Sequence, residues 1–239
     1  MKKNYGLIGT KLKHSFSKDY FERKFKSLNY KNHSYKNFEI NNLNSLRELI
    51  SKNNISGLNV TTPFKEQILN YVDDLDDSAE KIGSINTIKV NKNKITGFNT
   101  DADGFEKSFK PLIENRNSAI ILGNGGASKA IQYVLTKNKI NFKVISRSGE
   151  IKYENLSNLD IINNLILINT TPLGMYPNVH SFPKIPYNLL SEKHLVYDLV
   201  YNPKETVFLK KARKQKCKVS NGYQMLLNQA DLSWKIWEN

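Results

Sequence analysis

The sequence predicts an α/β protein, and three observations carry that reading. The apolar run Ile120-Ile121-Leu122 ends in Gly123-Asn124-Gly125-Gly126, and a helical pattern follows at once. Residues 4–61 alternate strand and helix patterns as β-α-β-α-β, the order of a mostly parallel sheet. Strand and helix patterns then keep alternating from Ala119 to the end of the chain.

Taken in order, Asn4–Ile8 reads as a short strand, followed by a loop from Gly9 to Ser17. Tyr20, Phe21, Phe25 and Leu28 recur at helical spacing, so Lys18–Leu28 is predicted helical with Ser17 as its N-cap. His33–Phe38 alternates as a strand, Leu43–Ile50 reads as a helix and Ile55–Thr61 as a buried strand. Within His14-Ser15-Phe16-Ser17, two hydroxyls beside a helix N-terminus suit a carboxylate. Simple capping by Ser17 is the competing reading. In Asn59-Val60-Thr61-Thr62-Pro63-Phe64-Lys65, Thr62 is placed to cap a helix and Pro63 to open it. Lys65 then falls in the first turn, where a cation opposes the helix dipole at a cost of roughly 0.3–1 kcal/mol. A residue set against its local preference points to function or to a tolerant surface. A general acid–base lysine and a plain surface lysine both fit.

Ser78–Gly83 reads as a short helix, and Ile85–Val90 with Lys94–Phe98 as a hairpin turning near Asn91-Lys92-Asn93. Asp103 is placed to cap a helix running to about Ile113, which leaves Asp101 free for chemistry.

The second half starts with strand Ala119–Leu122 and helix Ala127–Lys137. Between them Gly123 permits a tight turn, and Gly125 lets the backbone approach a pyrophosphate closely. The helix beginning near Gly126 offers unpaired N–H groups to phosphates. Ser128 replaces the third glycine of the G-x-G-x-x-G pattern and is small enough for close helix–strand packing. Phe142–Ser146 is the next strand and ends in Ser146-Arg147-Ser148, about 20 residues past the glycines, where the adenosine ribose is read. An arginine with two flanking hydroxyls there favours the 2′-phosphate of NADP; Glu150 nearby is the feature that would favour NAD. Leu165–Thr170 and His194–Val200 read as strands, Glu205–Gln215 as a helix, Cys217–Ser220 as the last strand and Gly222–Trp237 as a well-buried helix. The Thr171-Pro172-Leu173-Gly174-Met175 turn stands at the carboxyl end of its strand, where α/β sheets bind ligands.

Composition narrows the function classes. The chain has 239 residues, 39% hydrophobic and 24% charged, enough for one large or two modest domains. No apolar run approaches the ~20 residues of a membrane span, and the N-terminus lacks the apolar core of a signal peptide. The single Cys217 excludes an internal disulfide framework and fits the cytoplasm; with four scattered histidines it also makes a structural zinc site unexpected. The net charge of +14 raises nucleic-acid binding. The charges are spread out, however, and the Lys210-Lys211-Ala212-Arg213-Lys214-Gln215-Lys216 cluster lies inside an amphipathic helical pattern, so no nucleic-acid or membrane partner is expected. A positive field favours small anionic substrates and phosphorylated cofactors.

Several motifs stand in one order through nearly the whole chain. They are His14-Ser15-Phe16-Ser17, Asn59 to Lys65, Ile82-Gly83-Ser84-Ile85-Asn86-Thr87, Asn99-Thr100-Asp101, the Gly123 turn, Asn169 to Met175, Asp198-Leu199-Val200-Tyr201-Asn202-Pro203, and Asn221 to Ala230. Together they resemble the shikimate dehydrogenase family, which reduces 3-dehydroshikimate in aromatic amino-acid and chorismate biosynthesis. The resemblance implies a mostly parallel α/β substrate domain over 1–101, to which the final helix 221–239 returns. It implies a Rossmann-like NADP-binding domain over 102–220, with the active site in the cleft. It carries the catalytic pair onto Lys65 and Asp101. Substrate contacts fall on Ser15, Ser17, Asn59, Thr61, Asn86, Tyr201 and Gln229. Cofactor contacts fall on Gly123, Asn124, Gly125, Gly126, Ala127, Ser146, Arg147, Ser148, Leu199 and Gly222, with Asp77 bordering the cofactor. The chain departs from the family at Lys18, where proline is usual, and at Ser146, where asparagine is usual. It is also shorter than many relatives. The implied partner is a small anionic molecule, 3-dehydroshikimate or shikimate, and the implied state a monomer or homodimer. Two alternatives stay open: a quinate/shikimate paralogue tolerating NAD, and a non-catalytic Rossmann-type binding protein.

Overall fold

The computed structural model describes residues 3–13 and 15–239; His14 of the predicted carboxylate motif lies outside the described residues. The chain forms two compact units, Met1–Thr100 with Ala230–Asn239, and Asp101–Gln229.

The first unit runs β1 (Lys3–Gly9), α1 (Phe16–Ser27), β2 (His33–Glu39), α2 (Leu46–Lys52), β3 (Ile55–Val60), α3 (Phe64–Gln67), β4 (Asp74–Leu75), α4 (Asp77–Ile82), β5 (Thr87–Asn91) and β6 (Lys94–Phe98). Its sheet has the order β2-β1-β3-β5-β6-β4. The strands β2, β1 and β3 are parallel, as the βαβ connections require, whereas β5 pairs antiparallel with both β3 and β6, so the sheet is mixed. Lys92 and Asn93 take positive φ at the hairpin tip, a conformation asparagine tolerates well. Side chains alternate across the sheet: Ile8, Leu58 and Val60 pack with α2, while Tyr5 and Leu7 face Phe21 and Phe25 of α1. The same aromatic layer receives Ala230, Trp234 and Trp237 from the C-terminal helix. The indole of Trp237 donates to the Ile88 carbonyl at 2.9 Å and lies on Gly57, where any Cβ would collide with the ring.

The second unit begins in α5 (Thr100–Phe109). It continues through β7 (Ser118–Leu122), α6 (Gly126–Lys137), β8 (Asn141–Ile145), α7 (Asn158–Asn163), β9 (Ile166–Asn169), β10 (Leu195–Asp198), α8 (Val207–Lys214), β11 (Lys218–Asn221) and the first turns of α9 (Tyr223–Glu238). Its five strands are all parallel in the order β11-β10-β9-β7-β8. The central strands β9 and β10 are buried along their whole length, which is why they read as unbroken apolar runs. Phe208, Leu209 and Ala212 of α8 close one face over Ile120, Leu122, Leu167 and Val196.

Three predicted caps are corrected. The helix α1 starts two residues earlier than expected, with Ser15 as N-cap: Ser15 is extended and its hydroxyl accepts from the Ser17 N–H at 3.3 Å. Thr62 caps nothing. Phe64 N donates to the Thr61 carbonyl at 3.0 Å, closing a turn over Thr62 and Pro63, and α3 begins at Phe64 with Pro63 in the cap position. Asp103 lies inside α5, exposed, because the helix already starts at Thr100. There the Asn86 carboxamide, reaching over from the start of the hairpin, accepts from the Thr100 N–H at 2.7 Å.

Candidate active site

In both units the first strand lies between the second and third: β1 between β2 and β3, β7 between β8 and β9. Successive parallel connections therefore leave the first strand in opposite directions, and a crevice opens at the carboxyl ends of the first and third strands. Ser15, Ser17, Thr61 and Lys65 follow the first of these strand pairs, and the Gly123–Ala127 turn follows the first strand of the second.

In the first unit, β1 ends at Gly9 and β3 at Val60, neighbouring parallel strands whose loops leave at the same end. After β1 come Ser15, the N-cap of α1, and Ser17 in its first turn; after β3 come Thr61 and then Lys65 in the short helix α3. Thr61 N donates to the Ile8 carbonyl at 3.0 Å, and the Thr61 methyl packs so close to Gly9 that a Cβ there would come within 2.6 Å of it. Lys65 is half-buried, and its carbonyl accepts from Ile85 N at 2.7 Å, tying α3 to the segment that leads into Asn86.

Beneath these loops runs a chain of buried hydroxyls and amides. Tyr35 on β2 donates to Asn59 Oδ1 at 2.8 Å. The Asn59 amide nitrogen donates to Ser233 Oγ at 3.0 Å and Thr87 Oγ1 at 3.2 Å, and those two hydroxyls are 2.7 Å apart. Ser233 Oγ also lies 3.2 Å from Thr100 Oγ1. Asn86 grips Thr100 at both ends of its carboxamide, its Nδ2 reaching Thr100 Oγ1 at 2.9 Å. Asn59 and Asn86 were expected as substrate contacts. Here they are nearly fully buried, and their amides hold the strand ends and the start of the helix that carries Asp101. Thr87 and Thr100 stood inside quoted motifs without a role of their own; Tyr35 and Ser233 carried no sequence mark beyond a hydroxyl at a core-facing position.

In the second unit, β7 ends at Leu122 and the turn Gly123–Gly125 leads into α6. Gly123 has φ 112°, and a Cβ there would lie 2.6 Å from Thr170 Oγ1 at the end of β9. Thr170 itself bonds the Leu122 carbonyl through both its N–H and its hydroxyl, each at 2.9 Å. No side chain caps α6, so the N–H groups of its first turn, at Gly126 and Ala127, keep the anion affinity of a helix start. Ser128 is fully buried and donates to the Gly123 carbonyl at 2.8 Å, which shows how serine substitutes for the third glycine. At the end of β8, Arg147 and Ser148 are exposed and Ser146 is buried, its hydroxyl without a hydrogen-bond partner among the described residues. An exposed arginine, an orphaned hydroxyl and an uncapped helix start along two neighbouring strand ends fit a phosphorylated dinucleotide.

Leu199 and Gly222 follow β10 and β11. The two backbones approach so closely that a Cβ on Gly222 would overlap the Leu199 carbonyl. Asp198, fully buried, accepts from Asn169 Nδ2 at 2.9 Å and Val200 N at 3.1 Å on one oxygen, and from Thr206 Oγ1 at 2.5 Å on the other. Desolvation pushes its carboxyl up to about 6, against the pull of those three donors. Asn169 in turn accepts from Thr171 N and Oγ1 at 3.0 and 2.6 Å, which fixes the turn after β9. Tyr201 is half-buried just beyond. On α9, Gln229 is nearly fully buried and packs on Gly104 of α5, where a Cβ would come within 2.9 Å of it. Asp101 is buried at the start of α5, and Asp77 is exposed in the first turn of α4. Among the described residues no group of acidic, histidine or cysteine side chains is placed to hold a metal ion, and no helix is long and apolar enough to cross a membrane.

Comparison with known proteins points the same way. The family model for the shikimate dehydrogenase substrate binding domain matches residues 7–88. The NADP(+) shikimate dehydrogenase of Clostridium beijerinckii is 38% identical over 248 residues, covering 98% of this chain and 91% of its own. The chain belongs to the shikimate dehydrogenase family. The family resemblance extends to three dimensions. A shikimate dehydrogenase solved in complex with NADP+ superposes with a TM-score of 0.86 at 34% identity, covering 99% of this chain and 90% of that one. The shikimate 5-dehydrogenase of Thermus thermophilus, solved with NADP(H) and shikimate, gives 0.87 at 28% identity, covering 98% and 93%.

Proposed function

We propose that the chain is an NADP-dependent shikimate dehydrogenase that interconverts 3-dehydroshikimate and shikimate in chorismate and aromatic amino-acid biosynthesis. The observation that carries this reading is the pairing of two strand-end sites, one in each unit. The first is rich in hydroxyls with one lysine, suited to a polyhydroxylated carboxylate. The second is an uncapped glycine turn beside an exposed arginine, suited to a dinucleotide with a 2′-phosphate.

Bound NADPH supplies hydride chemistry. The chain's own residues do the rest. Ser15 and Ser17 anchor the substrate carboxylate, with Asn59, Thr61, Asn86, Tyr201 and Gln229 as further substrate contacts. Lys65 stabilises the negative charge that grows on the C3 oxygen during reduction and delivers a proton to it; in the reverse direction it takes that proton back. Asp101 hydrogen-bonds the reacting or the adjacent hydroxyl and orients Lys65. The first-turn N–H groups at Gly126 and Ala127 receive the pyrophosphate, with Gly123, Asn124 and Gly125 shaping the turn. Arg147, with Ser146 and Ser148, takes the 2′-phosphate. Leu199, Gly222 and Asp77 complete the cofactor's surroundings. Residues 1–101 with the final helix form the substrate domain and 102–220 the cofactor domain. The enzyme works in the cytoplasm, as a monomer or homodimer. The reducing compartment is supported by its one cysteine, a buried free thiol.

The test is the absorbance of reduced nicotinamide with shikimate or quinate against NADP+ or NAD+. Turnover confined to shikimate with NADP+ is expected, and Lys65→Ala should lower kcat by about 10²–10⁴-fold with the fold intact. A folded sample inactive in every pairing would refute the enzyme reading. Comparable rates with quinate or NAD+ would replace it with the broader paralogue.

A further inference from the structure

We propose, resting on the cofactor-binding reading above, that Asp198 is a positioning residue for the nicotinamide half of NADP. It touches no ligand; its carboxylate joins the two strand-end turns on which that half would rest.

Sheet order decides which strand ends meet which half of a dinucleotide. The strands lie as β11-β10-β9-β7-β8. On the reading above, Arg147 after β8 takes the adenosine 2′-phosphate and the Gly123 turn after β7 the pyrophosphate. A dinucleotide laid across the crevice therefore runs from β8 over β7 and brings its other half to the carboxyl ends of β9 and β10. Two turns stand there, 170–176 after β9 and 199–201 after β10.

Asn169 and Asp198 are the last residues of β9 and β10, opposite one another in register and both fully buried. Asp198 Oδ1 accepts from Asn169 Nδ2 at 2.9 Å and from Val200 N at 3.1 Å; the second of these closes an Asx turn around Leu199. The bond to Nδ2 leaves Asn169 Oδ1 to accept from Thr171 N at 3.0 Å, a second Asx turn beside the first. Asp198 Oδ2 accepts from Thr206 Oγ1 at 2.5 Å. Thr206 is the N-cap of α8, and its side chain lies under Gly174, where a Cβ would come within 3.1 Å of it. The turn after β9 is thus held near its start by Asn169 and in its middle by Thr206. Both holds lead back to one carboxylate, which also sets the turn after β10.

Three donors converge on Asp198, and an ionised carboxylate accepts at both oxygens without a proton of its own. All three donors are neutral, so the buried charge is a costly choice on stability grounds. Choices of that kind are concentrated where a fold holds a site in place.

The experiment uses two ligands that share one half. Adenosine 2′,5′-bisphosphate carries the 2′-phosphate and adenosine but no nicotinamide; NADP+ carries both halves. Their Kd values are measured by isothermal titration calorimetry on the unaltered protein, Asp198→Ala, Asp198→Asn and Thr206→Val. Asp198→Ala should raise the Kd for NADP+ about tenfold, the value of roughly one hydrogen bond, and leave that for the bisphosphate within about twofold. Asp198→Asn, which keeps the oxygen facing Asn169 and Val200, should restore NADP+ binding to within about threefold of the unaltered protein. An unchanged NADP+ affinity in Asp198→Ala overturns the proposal. So does equal weakening of both ligands, the mark of general loosening, and so does an asparagine variant as weak as the alanine one. If Asp198→Ala does not fold, Thr206→Val decides: weaker NADP+ binding with the bisphosphate unmoved supports the proposal, and unchanged NADP+ binding overturns it. An unaltered protein that binds neither ligand would bring down the cofactor reading itself, and the proposal with it.

Discussion

Replacing Asp198 separates the cost of burying its charge from the value of its three hydrogen bonds. In the unfolded chain its carboxyl titrates near 3.8; folded, burial lifts it to about 6. Below the lower value the group is protonated in both states. As pH rises, the unfolded chain ionises first, so stability falls between about pH 4 and pH 6 and then levels off. The gap of about two units corresponds to roughly 3 kcal/mol at neutral pH. Asp198→Asn removes that charge at little cost in geometry. Its oxygen can still accept from Asn169 and Val200, and its nitrogen can donate to Thr206 Oγ1, which retains lone-pair capacity. Asp198→Ala instead leaves three buried donors without their acceptor, at about 1–3 kcal/mol each before relaxation. Urea unfolding followed by far-UV circular dichroism, in steps from about pH 4 to pH 8, should show the unaltered protein losing roughly 3 kcal/mol relative to Asp198→Asn across that window. Subtracting the two curves cancels every other carboxylate. At pH 7, Asp198→Asn should be more stable than the unaltered protein by up to about 3 kcal/mol, and Asp198→Ala should lie below Asp198→Asn by about 3 kcal/mol or more. Parallel pH curves, or an alanine variant as stable as the asparagine variant, would refute the reasoning.

Arg147→Ala should raise the KM for NADP+ about tenfold by removing a charge-assisted contact, and leave weak NAD+ activity unaltered. Equal effects on both cofactors would dissociate Arg147 from the 2′-phosphate. Gly222→Ala drives a methyl into the Leu199 carbonyl and should cost about 2 kcal/mol or more, a fall in Tm of about 4–8 °C. An unchanged melting temperature would contradict that close approach.

What the sequence made legible was local chemistry. The β7–Gly123–α6 passage was readable because each cue lies within a few residues of the next: an apolar run, a glycine cluster and a helical pattern. The motif order likewise marked candidate residues that the fold brings to strand ends in both units. The errors arose where a partner comes from elsewhere in the chain. Asp103 resembled a cap because nothing near Thr100 announces that Asn86, fourteen residues upstream, already supplies the acceptor. The helix α7 was not foreseen although Ser157 and Asp160 form a capping box, since Leu159 and Ile162 are exposed and blur its apolar face. The short strand β4 is two residues long and exists only through its pairing with β6. Tyr35 and Ser233 were invisible for the same reason: a hydroxyl acquires meaning only from the residues it meets, and those lie far away in sequence.

The two tryptophans of the last helix have a consequence for synthesis. Tyr5, Phe21 and Phe25 form an aromatic face that Trp234 and Trp237 complete, from the other end of the chain. As the polypeptide leaves the ribosome, this face emerges some two hundred residues ahead of its cover. The all-parallel sheet of Asp101–Gln229 can close while the earlier residues still wait. The nascent chain is therefore finished from the middle outward. For as long as translation takes to reach Trp237, its first hundred residues present apolar surface of the kind chaperones bind.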